Sequence, residues 1–314
     1  MHIRIVSAVC FLALYTAQIQ EFDADSLSAL KNLDLSQAGT SITEEDAQFV
    51  SLQKWAVLEA NKTGKQLHQI FKDIAIVANS NLIARIADAQ VVSDSFQFIA
   101  CKIGDTVFLK EEATEHDKKE IENRKERLCQ LEAVRIGIVS AKQEKQDSAL
   151  PRHHLVTKFS VSSSGSVNIA CITEVGGIDT GGEYVIWETL PNSLKDRFPA
   201  GITFSLWLKL AIIGRQAKAG VVCHNEQHKV EQVVLARCDH KDGTQWLLPS
   251  HCGEHLQGLA AMLHKLIECF DTAPEVYIRV HNGSAGKILH FEKLHEKPKN
   301  FFIDEFKQRF DIVH

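Results

Sequence analysis

His251-Cys-Gly-Glu254-His255 places two imidazoles and a carboxylate within five residues, in the order H-x-x-E-H. On a helix capped by Ser250 the two rings would share one face a turn apart and could hold a zinc ion. Glu254 would then serve as base to a bound water. His251 and His255 are therefore candidate metal ligands, and a zinc-binding protein or zinc hydrolase is one reading. Cys223, His224, His228, Cys238, His240 and Cys252 complete the densest Cys/His cluster of the chain. No third ligand follows at such spacing and Gly253 weakens the helix, so solvated histidines at a helix start are the simpler reading.

A second constellation is Asp239-His-Lys-Asp242-Gly243. An Asp-x-x-Asp followed by glycine suits a caspase-like protease. Asp242 would fill a basic pocket, Asp239 would pair with a second site, and Gly243 leaves the departing side unhindered. Polar, glycine-containing linkers are also where backbone opens into a protease cleft. As a turn the motif needs no protease. Other chemistry is thinner. Cys101 and Cys171 carry no local nucleophile signature. Asn282-Gly-Ser-Ala-Gly-Lys287 lacks P-loop spacing and reads as a hairpin turn.

The composition is that of a globular protein of one large or two ordinary domains: 314 residues, 45% hydrophobic and 24% charged. A formal charge of −5 without a basic stripe argues against a nucleic-acid binder. The eight cysteines are scattered with no C-x-x-C pair, as in a reduced cytosolic protein. Residues 3–19 are nearly uncharged apart from Arg4, and are read as a retained apolar helix in preference to a removed signal.

Helices are expected over 44–60, 66–71, 111–131, 251–270 and 301–310, and strands near 74–77, 82–86, 96–101, 106–109, 134–139, 276–280 and 288–291. The most patterned stretch is 159–175. There Phe159, Val161, Val167 and Ile169 alternate with Ser160, Ser162, Ser164 and Ser166, giving one apolar and one wettable strand face. Residues 202–212 repeat it with Ile202, Phe204, Leu206 and Leu208. Such runs have the length of transmembrane β-strands, and suit a soluble sheet equally well. The fold class expected is α+β, with a boundary near 236–246.

Four blocks give the chain a resemblance to the gasdermin family, gasdermin E above all. They are Gln20-Glu-Phe-Asp-Ala-Asp25 with Asn32-Leu-Asp-Leu-Ser36, Ser93-Asp-Ser-Phe96 leading to Leu109-Lys-Glu-Glu112, Leu131-Glu-Ala-Val-Arg-Ile-Gly-Ile-Val139, and Phe198-Pro-Ala-Gly-Ile-Thr-Phe-Ser-Leu-Trp-Leu-Lys-Leu210. The resemblance implies a strand-rich pore-forming domain over 1–238, a cleavable linker over 239–243 and a short α+β inhibitory tail over 244–314. It implies cleavage after Asp242, binding of the N-terminal fragment to acidic phospholipid through Arg4 and the first helix, and oligomerisation into a β-barrel pore. Phe159, Val161, Val167, Ile169, Ile202, Phe204, Leu206 and Leu208 would insert in the membrane. The intact chain would be cytoplasmic and the cut fragment at the cell membrane. The partners would be lipid, a caspase-like protease and further copies, with no nucleic acid. No cofactor and no enzymatic activity are expected.

Overall fold

The computed structural model describes residues 3–11, 21–22, 30, 33, 35, 47–89, 96–114, 126–127, 129–134, 153–162, 165–194, 200–214, 217–236, 251–272, 277–282 and 289–312. Two sheets carry them. In chain order the elements are β1 (Ile3–Phe11), β2 (Glu21–Phe22), α1 (Ala47–Thr63), α2 (Leu67–Ile70), β3 (Ile76–Asn79), α3 (Ser80–Asp88), β4 (Gln97–Ile103), β5 (Thr106–Glu112), β6 (His153–Ser162), β7 (Ser166–Val175), β8 (Gly177–Asp179), β9 (Tyr184–Pro191), α4 (Ala200–Ile213), β10 (Ala217–His224), β11 (Val230–Ala236), α5 (Cys252–Thr272), β12 (Tyr277–Asn282), β13 (Leu289–Leu294) and α6 (Asp304–Arg309). The fold class is α+β.

The larger sheet has eight strands in the order β1-β6-β7-β3-β5-β4-β12-β13. Both of its faces are covered over β6, β7, β3 and β5. On one side α3, α4 and α5 pack through Leu82, Ile86, Phe204, Leu208, Leu259 and Leu263. On the other lie α1, α2 and α6 with an aromatic group of Phe49, Phe71, Phe301, Phe302 and Phe306. At β6 the sheet is buried on both faces, so Ser160 is 6% exposed although its neighbours alternate with it. Phe159, Val161, Val167 and Ile169 are 0–1% exposed in the core beneath α3, α4 and α5. They are packed in protein, not presented to a bilayer.

The smaller sheet runs β11-β10-β9-β8-β2. Its strands β9 and β10 are parallel, joined by α4 in a βαβ unit. The segment 200–213 is thus a helix where a strand was expected. Residues two apart on a helix point nearly opposite ways, since each step turns about 100°. The alternating apolar run therefore splits into two stripes at i, i+4 spacing. Phe204, Leu208 and Ile212 enter the core of the larger sheet, while Ile202, Leu206 and Leu210 enter a separate core against the smaller one. A helix wedged between two sheets must be apolar on both sides, and that requirement imitates a strand. Gly214, at φ +94°, ends it, and its N–H reaches the Leu210 carbonyl at 2.8 Å.

Two further expectations fail in the same way. Residues 3–11 are a strand antiparallel to β6, with Arg4 opposite Ser160, not part of a lipid-binding helix. Residues 80–88 are a helix, started by Asn79, whose Oδ1 accepts the Leu82 N–H at 2.7 Å. The tail is also tied to the body. β12 pairs with β4, with Arg279 opposite Ile99, and α5 supplies Leu256, Leu259, Leu263 and Phe270 to the core of the larger sheet. Asp239, Asp242 and Gly243 lie outside the described residues. Among the described helices none is long and apolar enough to cross a membrane.

Candidate functional site

Strand β9 carries the most unusual group of the smaller sheet. Its sequence, Tyr-Val-Ile-Trp-Glu-Thr-Leu-Pro, has β-branched and aromatic residues that favour a central strand. Strand alternation puts Glu188 between Ile186 and Leu190, both of which enter the core shared with α4. The Glu188 residue is only 4% exposed. A carboxylate so placed needs a partner, and Arg127, from the helical residues 126–127, provides a two-armed one. Its Nε donates to Oε1 at 2.8 Å and its Nη2 donates to Oε2. The Thr189 N–H adds a third bond to Oε1 at 3.1 Å. The Arg127 side chain is nevertheless 47% exposed, so the pair runs from interior to surface.

On the opposite face of the same strand, Thr189 Oγ1 donates to Gln130 Oε1 at 3.1 Å. Gln130 Nε2 donates to Glu126 Oε1 at 3.2 Å and lies 3.2 Å from His228 Nδ1. His228 Nδ1 is also 3.4 Å from Glu126 Oε1. His228 sits at φ +59° in the turn between β10 and β11, where Asn225 Oδ1 accepts the N–H groups of Gln227 and Lys229 at 3.0 Å each. Its ring stands 5.6 Å from that of His224, at the end of β10. These groups gather at the carboxyl ends of the two parallel strands, the end at which open α/β sheets take ligands.

Two neighbouring features fix this region. Trp187 lies flat against the backbones of Gly176 and Gly220, and a β-carbon at either glycine would overlap the indole. At the other end of β9, Lys218 is 8% exposed and pairs with Asp179 and, at 3.3 Å, with Glu183. Partial burial alone would raise the Asp179 carboxyl. The Lys218 ammonium and the N–H groups of Glu183 and Gly181 outweigh it and hold the group below the usual carboxylate range.

The histidine motif is not assembled as a metal site. His251 is exposed at φ +69°, just before α5, and its Nδ1 lies 3.1 Å from Glu254 Oε1. His255 is 4% exposed and stacked on Phe204 at 4.1 Å. Its Nδ1 lies 3.2 Å from the Ala87 carbonyl and 3.6 Å from Asp88 Oδ1 at the end of α3. One ring is in solvent and the other is sealed between helices. Arg127, Gln130 and Glu188 were missed at sequence level. A lone glutamate amid a strand's apolar positions was the signal available for Glu188. Nothing marks its partner some sixty residues earlier.

No family model matches the sequence, and no curated protein matches it. Solved structures do match, over nearly the whole length. Candida albicans Rai1 in complex with pU5-Mn2+ superposes with a TM-score of 0.68 and 14% identity, covering 99% of this chain and 96% of that one. Scheffersomyces stipitis Rai1 in complex with (3'-NADP)+ and calcium ion gives 0.67 and 13%, covering 99% and 98%. K. lactis Dxo1 in complex with manganese gives 0.61 and 8%, covering 92% and 90%. At these identities the likeness is one of fold. It overturns the gasdermin resemblance, and with it the pore, the caspase-like protease and the lipid partner. The expectations of no enzymatic activity and no nucleic acid fall too, because structures of this fold hold nucleotide ligands and divalent ions. The manganese and calcium of those structures agree better with the zinc-binding or zinc-hydrolase alternative than with a pore, but His251 and His255 are not brought together as its ligands. Among the described residues no three His, Cys, Asp or Glu side chains are grouped so as to hold a metal ion. Both Glu188 oxygens are engaged by Arg127. These residues do not fit a divalent ion.

Proposed function

We propose that this chain recognises the phosphorylated end of an RNA or nucleotide and hydrolyses a phosphate linkage in it. The observation that carries this reading is the near full-length likeness to a Rai1 structure holding pU5-Mn2+. A second structure of the fold holds (3'-NADP)+, and the two ligands share a phosphate-bearing nucleotide.

In this chain the groups suited to such a ligand are those at the carboxyl ends of β9 and β10. Arg127 offers a planar guanidinium, the side chain best matched to phosphate oxygens. Glu188, bonded to two of its five N–H donors, holds it in place. In the hydrolysis, a water oxygen forms a new bond to phosphorus, the bond to the leaving oxygen breaks, and the water's proton passes to that oxygen. His228, held by Gln130 and beside Glu126, is a group able to take and return that proton.

The test uses the full chain with 5′-phosphorylated oligouridine and with NADP, each in manganese and in EDTA. Binding is followed by fluorescence anisotropy or calorimetry, and products by chromatography. Binding weakened about tenfold or more in Arg127→Ala supports the assignment, since a charge-assisted hydrogen bond contributes about 1.5–3 kcal/mol. Neither binding nor product in either buffer would overturn it.

A further inference from the structure

A second cluster lies on the other sheet, at the β13 edge of the larger one. On β12, Tyr277, Arg279 and His281 share one face, while Ile278 and Val280 turn to the core under α5. The aromatic cover on the first of these faces reaches Tyr277, Ile99 and Cys101. Beyond it the face is half open, and the row crossing the strands reads Glu112, Gln97, His281, His290. His281 on β12 and His290 on β13 are directly opposite. Their rings stack with centroids 5.0 Å apart and planes within 14°. His281 is half-buried and His290 is exposed.

We propose that His281 and His290 form a two-histidine site for a borderline divalent transition-metal ion such as zinc. Imidazole nitrogens bind such ions at about 2.0–2.1 Å. Two nitrogens on one tetrahedral ion then lie about 3.3 Å apart. Parallel rings 5.0 Å apart, on side chains with solvent beside them, reach that spacing by side-chain rotation without moving the strands. The neighbouring charge does not oppose an ion. Arg279, two residues before His281 on the same face, is neutralised by Glu112 at 2.9 Å and by Glu292 at 3.3 Å. The two carboxylates outnumber the one guanidinium. Glu292 stands two residues after His290, about 7 Å along the strand on the same face. The ion's remaining positions go to water, since among the described residues no third His, Cys, Asp or Glu side chain is grouped with the two rings.

An ion here would tie the edge strand β13 to β12. Because the unfolded chain does not hold the two rings together, binding would raise the stability of the folded state.

Zinc chloride is titrated into the full chain by calorimetry, alongside His281→Ala, His290→Ala and His251→Ala, with circular dichroism confirming that each is folded. His290 is exposed, so its replacement leaves the core untouched, and His290→Asn serves as a second variant there. The expected result is one equivalent of zinc on the wild type, lost in both His281→Ala and His290→Ala and kept in His251→Ala. Zinc should also raise the melting temperature of the wild type alone among the first three proteins. Full zinc stoichiometry in either the position-281 or position-290 variant, or no bound equivalent on the wild type, overturns the site.

Discussion

Two of the glutamate–arginine pairs, one on each sheet, differ in one respect that bears on the proposed function. Glu111, on β5, meets Arg85 of α3 through a single contact, Nη1 to Oε1 at 2.6 Å, with side chains 3% and 19% exposed. Glu188, on β9, meets Arg127 through two parallel bonds, with side chains 5% and 47% exposed. In both, the strand supplies a buried carboxylate and a helical residue supplies the counter-charge. The first pair is sealed at both ends, and its role is to neutralise a charge between a helix and a sheet. The second keeps its arginine side chain 47% exposed, so a guanidinium held by a buried anion lies within reach of solvent. A cation oriented by a buried anion is a pre-organised site for an anionic ligand.

The largest effect expected from this contrast is on stability. Arg85→Ala leaves Glu111 buried without its charge partner and should cost about 3–5 kcal/mol, read from urea unfolding. Arg127→Ala should cost less, about 2 kcal/mol, because water reaches half of that side chain. It should carry the larger loss of phosphate-ligand affinity, whereas Arg85→Ala, if still folded, should bind as the wild type does. Equal effects of the two variants on both readouts would break the contrast. Lysine replacements sharpen it. Arg85→Lys keeps a donor for the one bond to Glu111, but Arg127→Lys gives up the two-armed geometry and with it the fixed orientation. Its ligand affinity should fall even though the charge remains.

The smallest effect concerns the third pair, Asp179 with Lys218. The Asp179 carboxyl is held below its usual range, so its contribution is complete above about pH 3.9, the unfolded carboxyl's value, and fades as pH falls through the lower folded value. The unfolding midpoint should therefore drop on acidification, and less steeply in Asp179→Asn. Identical pH profiles for the two proteins would remove the pair from the account.

Much of the framework was legible in the amino-acid order. The β4–β5 and β12–β13 hairpins, α1, α2 and α5 follow from their apolar periods and turns. What misled was burial on two sides. A period of two in 202–212 is shared by a one-faced strand and a two-faced helix, and only a second core on the far side of Phe204 and Leu206 separates them. The apolar run at residues 3–11 was misread for another reason: the strand that pairs with it, β6, begins only at residue 153. The site was less legible still. The H-x-x-E-H spacing is a statement about neighbours in sequence, and it says nothing of Phe204 and Ala87, which close over His255. Glu188 and Arg127 become a pair only through the packing of helical residues 126–127 against β9.

Strand β4 has β5 on one side, completed within ten residues, and β12 on the other, where Ile99 meets Arg279. On a ribosome emitting the chain from its N-terminus, the larger sheet must therefore wait with an unpaired edge and an uncovered face until β12 and α5 have emerged. Non-local pairings of this kind slow folding and expose strand edges to other chains while they wait. The emergence of β12 and α5, not the finished hairpins, sets when the exposed edge and face of this sheet are closed to neighbouring chains during synthesis.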